Sequence, residues 1–301
     1  MVKLKLSIFS NYGTVPLQIA VDHGFFEQTG LSVTIEPTTS SIDQMTGVTD
    51  GRFDIAASAI DNIIAYNCGQ GAASTETVPN LKVFLGSASY RLPFVVGPDI
   101  VKFEDLKGTT IAVDALNTGF AFLLREMLEI NGLGPDRYEF KSFGAPKERW
   151  HAVQSGVAAG ALLNAHFEGI AHQSNCNTLT SDPDPWDNYE GNTFCAGPAF
   201  LQEGPVEEFI NATLRAVAFT KDPDNTTAVA TALSQHIGNL DQNRALDVAR
   251  SLQGAHSIIA DNLPVSRGGI AEVLRLREKY TATRLDLTPE DLCDPRVTFT
   301  P

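Results

Sequence analysis

The sequence has little cysteine. Four cysteines in 301 residues are too few for a disulfide scaffold, and none of them forms a Cys-x-x-Cys metal or redox pair. We therefore expect free thiols. Only Cys176 and Cys195 lie near enough in sequence to suggest a bridge, and a bridge would indicate an oxidising compartment.

Long apolar runs are missing too. No run reaches the about 18 apolar residues of a membrane span, so no span is predicted. Residues Met1 to Phe9 alternate polar and apolar residues, which predicts a first strand and not a secretory signal. We expect a cytoplasmic protein if Met1 is the native start, and a periplasmic or extracellular one if an export signal was removed.

Basic charge is scarce. Lys and Arg together number 22 against 36 Asp and Glu, which gives a formal net charge of −14 and a pI near 4.8. This balance opposes long contacts with phosphate backbones, so nucleic acid is excluded as a partner. Since 43% of the residues are hydrophobic, the chain can bury the core of one large domain or of two lobes.

Familiar catalytic motifs are also absent. The chain has no Gly-x-Ser-x-Gly, His-Glu-x-x-His, Walker or Gly-x-Gly-x-x-Gly motif, and no cofactor is predicted. His166 and His172 are six residues apart, which does not place them on one helix face, so no metal site is predicted. His166 follows a predicted strand end by two residues and is the one catalytic candidate, as a general acid or base, if the protein is an enzyme.

What the chain does have is a repeated α/β pattern. The stretch from Gly30-Leu31 to Gly51 parallels the stretch from Gly132-Leu133 to Gly156, with spacings of 21 and 24 residues. Each predicts a βαβαβ unit, and right-handed crossovers then give two small doubly wound sheets. We predict lobe one from residues 1–89 plus 199–301 and lobe two from residues 90–198, with crossover segments near 86–92 and 192–199.

Ligands of open α/β sheets bind beyond the carboxyl ends of the strands. Ser58 and Thr118 are predicted to begin helices at this edge. The backbone N–H groups and the positive dipole ends of those helices would then face an anion. The alternative is that both residues only cap their own helices. Arg91, at the predicted crossover, either clamps an anionic group or forms a surface ion pair. Trp150 is predicted to be core. The predicted ligand-binding residues are Ser10, Asn11, Tyr12, Ser58, Arg91, Asn117, Thr118, Gly119, Asn164 and His166.

Several segments carry a family resemblance. Five segments resemble the sequences of type II periplasmic solute-binding proteins. They are Pro16–Ala20, Gly24–Phe26, Gly30–Val33, Gly51–Ala56 and Asp105–Ala112. The branch is the one that serves nitrate, taurine, alkanesulfonates and thiamine pyrimidine precursors, and the resemblance spans about residues 4 to 220. It implies an α/β fold of two lobes, each a doubly wound mixed sheet flanked by helices, with a ligand cleft between the lobes.

Two functions follow from this resemblance. The first is a solute-binding protein of the ABC-transporter type, whose lobes close over a small anionic (carboxylate or sulfonate) or aromatic ligand and whose partner is an ABC permease. The second is a cytoplasmic enzyme on the same scaffold, a lyase such as a decarboxylase or dehydratase acting on a small carboxylated substrate, with His166 as its acid or base. The chain is expected to be a monomer or a dimer.

Overall fold

The computed structural model describes residues 1–75, 78–89, 91–237 and 240–300, and only the backbone of residues 165 and 166. Backbone contacts divide the chain into two compact units, which are described separately below. Unit 1 comprises Met1–Tyr90, Glu190–Ile270 and Leu287–Pro301. Unit 2 comprises Arg91–Tyr189 and Ala271–Asp286.

The secondary structure alternates as the sequence predicts. In chain order, the strands are β1 (Val2–Ile8), β2 (Leu31–Pro37), β3 (Ile55–Ala59), β4 (Lys82–Gly86), β5 (Phe94–Val96), β6 (Thr110–Val113), β7 (Glu139–Ser142), β8 (Gly160–Leu162), β9 (Asn177–Leu179), β10 (Asn192–Ala196), β11 (Val265–Ser266) and β12 (Phe299–Thr300). The helices are α1 (Val15–Asp22), α2 (Phe25–Gln28), α3 (Ser41–Thr49), α4 (Ile60–Asn67), α5 (Gly119–Ile130), α6 (Pro146–Gln154), α7 (Ala165–Gln173), α8 (Pro198–Glu203), α9 (Val206–Lys221), α10 (Thr226–His236), α11 (Gln242–Gln253), α12 (Arg267–Thr281) and α13 (Pro289–Leu292).

Unit 1 is built on a mixed sheet with strand order β2-β1-β3-β10-β4. Strands β1, β2 and β3 are parallel, since helices connect them, whereas β10 runs antiparallel between β3 and β4. One sheet face, with Leu6, Ile8 and Phe194, belongs to a core that includes residues of α1, α9, α10 and α11. Helix α9 contributes Phe209, a fully buried ring that stacks on Phe26 at 5.4 Å between ring centroids.

Unit 2 is built on a second mixed sheet with strand order β7-β6-β8-β5-β9. Strands β6, β7 and β8 are parallel, and β5 is antiparallel to both β8 and β9. Trp150 is 3% exposed and packs in a cluster with Val95, Ala112 and Ala161, which confirms its predicted place in the core. The α/β fold with two mixed sheets is confirmed; β9 is an addition that the sequence did not predict.

The glycines of the repeated pattern have a common conformation. Gly30, Gly51, Gly132 and Gly156 have φ values of +84°, +78°, +79° and +72°. This left-handed region suits glycine because a Cβ atom would be strained there. Corresponding glycines therefore end corresponding helices or turns in the two units, as the repeat predicts.

The unit boundaries differ from the predicted ones in two places. Strand β10 hydrogen-bonds to β3 and β4 in the sheet of unit 1, so the chain returns at residues 189–190 and not within 192–199. Helix α12 was predicted to pack on lobe one, yet from Ala271 onward it belongs to unit 2. There Arg275 and Lys279 form ion pairs with Glu126 of α5 at 2.7 and 2.6 Å.

The four cysteines all lie among the described residues, and none of them forms a disulfide. Cys195 lies in β10 and Cys176 is buried in unit 2, and the bridge that their sequence spacing suggested is not formed. Burial raises the pKa of Cys195 to about 12, so its unreactive thiol form prevails at neutral pH. Among the described residues, no helix is long and apolar enough to cross a membrane.

Candidate functional site

The candidate site of unit 1 lies where its parallel strands end. Ile8 of β1 is paired with Pro37 of β2 and with Ala57 of β3, so these three strands end at one edge of the sheet. The chain that follows β1 therefore brings Ser10, Asn11 and Tyr12 to the same edge as Ser58. Ligands of α/β sheets bind at such an edge, and a ligand site here stays a prediction.

The loop after β1 is stabilised by its own side chains. The side-chain oxygen of Asn11 accepts a hydrogen bond from the Gly13 N–H at 2.8 Å, and its amide nitrogen donates to the Phe9 carbonyl at 2.9 Å. Tyr12 packs half-buried against the core, and Ser10 is exposed. Asn11 therefore shapes the loop, while a ligand contact of Ser10 or Tyr12 stays a prediction.

Ser58 does not cap a helix. It lies in β3, opposite Thr193 of β10, and it is fully buried. Because the β3–β10 pairing continues to Ala59, helix α4 begins one residue later than predicted and Ala59 occupies its N-cap position. The Ser58 hydroxyl instead accepts a hydrogen bond from the Asn62 side chain at 3.2 Å.

A buried glutamine supports this edge from α3. The Gln44 side-chain amide donates hydrogen bonds to the carbonyls of Ser7 in β1 and Ala57 in β3, both at 3.1 Å. It is fully buried, so each bond is shielded from water. Gln44 therefore ties the ends of two neighbouring strands together, a role that the sequence analysis did not predict.

Replacing Gln44 with leucine should destabilise the protein by about 1–3 kcal/mol, because two buried carbonyls would lose their side-chain donor. Urea denaturation followed by circular dichroism measures this change. Gln202→Leu, an exposed position on α8, is the matched control and should shift stability by no more than about 0.5 kcal/mol. Equal shifts in the two variants would contradict the supporting role of Gln44.

The candidate site of unit 2 has the same construction. Strands β6 and β8 are parallel, while Phe94 at the start of antiparallel β5 pairs with Leu162 at the end of β8. The segment that contains Arg91, the loop after β6 and Asn164 are thereby brought to one edge of the sheet. Helices α5 and α7 both begin there, and their N-terminal N–H groups and positive dipole ends favour an anion.

Two predicted residues of this edge cap their helices. Thr118 accepts a hydrogen bond from the Ala121 N–H at 3.3 Å and donates one to Asp114 at 2.8 Å. Asn164 accepts from the Phe167 N–H at 3.2 Å. The capping role that was kept as an alternative for Thr118 is therefore present, and Asn117 is not the cap. Ligand contacts of Asn117, Thr118, Gly119 and Asn164 stay predictions.

Arg91 forms the surface ion pair that was kept as its alternative role. Its guanidinium contacts the carboxylates of Asp184 and Asp187, the second at 3.4 Å, and its side chain is half-exposed. A ligand clamp at Arg91 would have to compete with both acids. His166 lies in the first turn of α7, but its side chain lies outside the described residues, so its predicted roles stay predictions.

Two buried arginines lie beside the loop after β6. Arg149 of α6 is 4% exposed, and its Nη1 is 3.9 Å from Asp114 Oδ1. Arg277 of α12 is 1% exposed; it donates to the Asn117 carbonyl at 3.5 Å and lies over the Phe122 ring at 5.3 Å. Two buried guanidinium groups and the Asp114 carboxylate thus lie beside this loop.

The burial of both arginines was not predicted, because each stands in a charged run that indicates a solvent-exposed face. A signal was present for Arg277. Ile270, Val273 and Leu274 are buried on α12, and Arg277 follows them at the spacing of a single helix face. An arginine on an apolar helix face must be buried with partners for its donors, as this one is.

Glu190 is a further residue whose environment was not predicted from the sequence. It lies in unit 1 just before β10, and one carboxyl oxygen accepts a hydrogen bond from the Ser266 N–H at 2.7 Å. Burial raises the pKa of this carboxyl to about 7, against the opposing effect of that N–H. In the described part of the chain, no cluster of three or more His, Cys, Asp or Glu residues could hold a metal ion.

Comparisons with known proteins agree with this architecture. Solved structures with a similar fold include the alkanesulfonate-binding protein SsuA from Xanthomonas axonopodis pv. citri bound to MOPS (TM-score 0.72, 16% identity, covering 100% of this chain and 99% of that one). The ligand-binding component of an ABC-type import system from Staphylococcus aureus has a TM-score of 0.75 at 13% identity, covering 98% and 97% of the two chains. The periplasmic nitrate-binding protein NrtA from Synechocystis PCC 6803 has a TM-score of 0.69 at 14% identity, covering 83% and 70%.

At these identities the structural likenesses show the fold alone, and the α/β fold with two mixed sheets is the one that the resemblance predicted. No curated protein matches the sequence significantly. Residues 11–226 match the sequence profile described as NMT1/THI5 like, which covers more than half of the chain. The chain therefore belongs to the NMT1/THI5-like family.

Proposed function

We propose that this protein is a solute-binding protein of the ABC-transporter type and that its ligand carries a carboxylate or sulfonate group. The observation that carries the choice of an anion is the buried guanidinium of Arg149 beside the loop that leads into α5. A buried cation next to the positive end of a helix favours a negatively charged group over a neutral one.

The surroundings of that loop support an anion further. Arg277 brings a second buried guanidinium to the Asn117 carbonyl, and Thr118 keeps the first turn of α5 in place. The Asp114 carboxylate lies near Arg149 and accepts a hydrogen bond from the Thr118 hydroxyl. A ligand oxygen at this edge would meet the N–H donors of the helix beside a buried guanidinium group.

The structurally similar proteins support the same class of ligand. One is described as binding alkanesulfonates and another as binding nitrate, and both ligands are small anions. We accordingly propose an ABC permease as the partner. The lyase alternative depends on His166, whose side chain lies outside the described residues, and we do not propose it.

The test is to find the ligand class directly. The protein is denatured after purification and small molecules released from it are identified by mass spectrometry. Refolded protein is then titrated calorimetrically with methanesulfonate, nitrate and benzoate, with benzamide as the neutral counterpart of benzoate. We expect saturable binding of at least one anion, and binding of benzoate, if present, at least about tenfold tighter than binding of benzamide. Binding of benzamide alone, or of none of the anions, would contradict the proposal.

A further inference from the structure

Glu190 lies where the chain passes between the units. It is the first residue of unit 1 after the chain leaves unit 2 at Tyr189. Its hydrogen-bond partner, Ser266, immediately precedes α12, the helix that continues into unit 2 after Ile270. Glu190 and Ser266 thus connect two of the chain segments that lead from one unit to the other.

The connection between these segments is close. Ser266 acts as the N-cap of α12, because its hydroxyl accepts a hydrogen bond from the Gly269 N–H at 3.0 Å. A Cβ atom on Gly269 would lie only 2.7 Å from the Glu190 backbone nitrogen and 3.0 Å from the Glu190 Cβ. Glycine is therefore needed at residue 269 for the first turn of α12 to pack this closely against Glu190.

The charge of Glu190 is not balanced by an ion pair among the described residues. Arg267, the first residue of α12, is engaged by Glu290 at 3.0 Å and lies over the Phe299 ring at 4.7 Å. The Cys293 thiol is influenced by the charge of Glu190. Burial, and then that charge, raise the pKa of Cys293 to about 12, so this thiol is neutral near pH 7. The Ser266 N–H and the positive end of α12 favour the ionised form of Glu190.

We propose that Glu190 is a proton-dependent latch between the segment preceding β10 and the first turn of α12, and that its protonation state alters the affinity for ligand. Neutral Glu190 keeps its hydrogen bond to Ser266 without burying a charge. When Glu190 is ionised, this hydrogen bond becomes stronger, but the charged carboxylate must remain partly removed from water. The effect on ligand affinity rests on the proposed function; the latch itself does not.

The sign of the pH dependence follows from the pKa. The pKa of Glu190 is raised from 4.5 in its unperturbed state to about 7 in the fold, so the folded segment binds more protons than the opened one. The latch is therefore strongest below about pH 4.5 and weakens as the pH rises to about 7. Over this range, the equilibrium constant for opening of the latch increases by at most about tenfold per pH unit. Above about pH 7 the stability that protonation of Glu190 gives to the latch is fully lost.

Hydrogen exchange of the Ser266 and Gly269 amides, corrected for intrinsic rates, reports the opening of the latch. We expect protection in the wild type to fall between pH 5 and 7. In Glu190→Gln, a neutral acceptor, protection should stay high and independent of pH, and in Gly269→Ala it should be low throughout. Glu104→Gln, an exposed acid in unit 2, is the control and should behave as wild type. Equal pH dependence in the wild type and Glu190→Gln would overturn the latch.

Two further measurements keep the inference testable if a variant fails to fold. Carbon NMR of the wild-type Glu190 carboxyl should give a midpoint near 7, and an ordinary midpoint near 4.5 would overturn the proposal.

Methanesulfonate, whose charge is constant over this range, is then titrated calorimetrically from pH 5 to 8. Its Kd should vary with pH in the wild type and not in Glu190→Gln; equal variation in both would overturn the coupling to ligand. If methanesulfonate does not bind at any pH, nitrate or benzoate replaces it in this titration. Absence of binding of all three anions would contradict the anionic ligand class, while exchange and NMR would still decide the latch.

Discussion

Replacing Arg149 with methionine is expected to weaken binding of methanesulfonate by about 10- to 100-fold. Methionine fills a similar buried volume but removes the guanidinium beside the loop after β6. A charge-assisted hydrogen bond to a buried ion contributes about 1.5–3 kcal/mol, which corresponds to this range of affinity. Isothermal titration calorimetry at constant ionic strength measures the effect.

The matched control for Arg149 is Arg137→Met, which removes the same charge from an exposed position in unit 2. It should change the affinity by less than about twofold, because exposed charges are screened by salt. Arg149→Lys should recover only part of the binding, since an ammonium group lacks the planar fork of donors. An unchanged affinity in Arg149→Met, with circular dichroism showing a native fold, would refute the assigned anion subsite.

Truncation of Phe209 to alanine is expected to destabilise the protein by about 3–5 kcal/mol. Its ring stacks on Phe26 and makes edge contacts with Phe194 at 5.8 Å and Phe84 at 6.0 Å between centroids. These partners come from α2 and from two sheet strands, so the cavity left behind would be surrounded by fixed elements. Urea denaturation monitored by fluorescence and circular dichroism gives the change in unfolding free energy.

Val157→Ala provides the comparison for Phe209. Val157 is 56% exposed, so its truncation should shift stability by no more than about 0.5 kcal/mol. Because the chain forms two compact units, unfolding can proceed in two steps, and the loss in Phe209→Ala should appear in the step that belongs to unit 1. A loss in Phe209→Ala no larger than that in Val157→Ala would show that the aromatic cluster does not stabilise unit 1.

The repeated pattern was predictable because it depends on local chemistry. Glycines at residues 30, 51, 132 and 156 mark positions of positive φ, and the helices and strands between them follow from short-range periodicity. Trp150 was also predictable as core from its place on a helix with Val153. These features need only a few neighbouring residues to be specified.

The candidate site was only partly predictable. The strand ends that supply Ser10, Asn11, Thr118 and Asn164 follow from the order of elements and the rule for parallel sheets. The burial of Arg149 could not be predicted in this way, because it depends on how α6 packs on the sheet. The charged residues next to Arg149 in the sequence indicate an exposed position instead. Glu190 was missed for a related reason, since its partner Ser266 is 76 residues away in the chain.

The sequence by itself determined two α/β halves, their repeated glycines and the sheet edge at which a ligand is expected, since these depend on local conformational preference and on the short crossover rule. The tertiary structure decided that β10 belongs to unit 1, that most of α12 belongs to unit 2, that Arg149 and Arg277 are buried, and that Glu190 is partly buried. The physical reason is that burial and pairing depend on which distant segments meet. Local patterns specify conformation, whereas the environment that sets the charge of a side chain is assembled only by the fold.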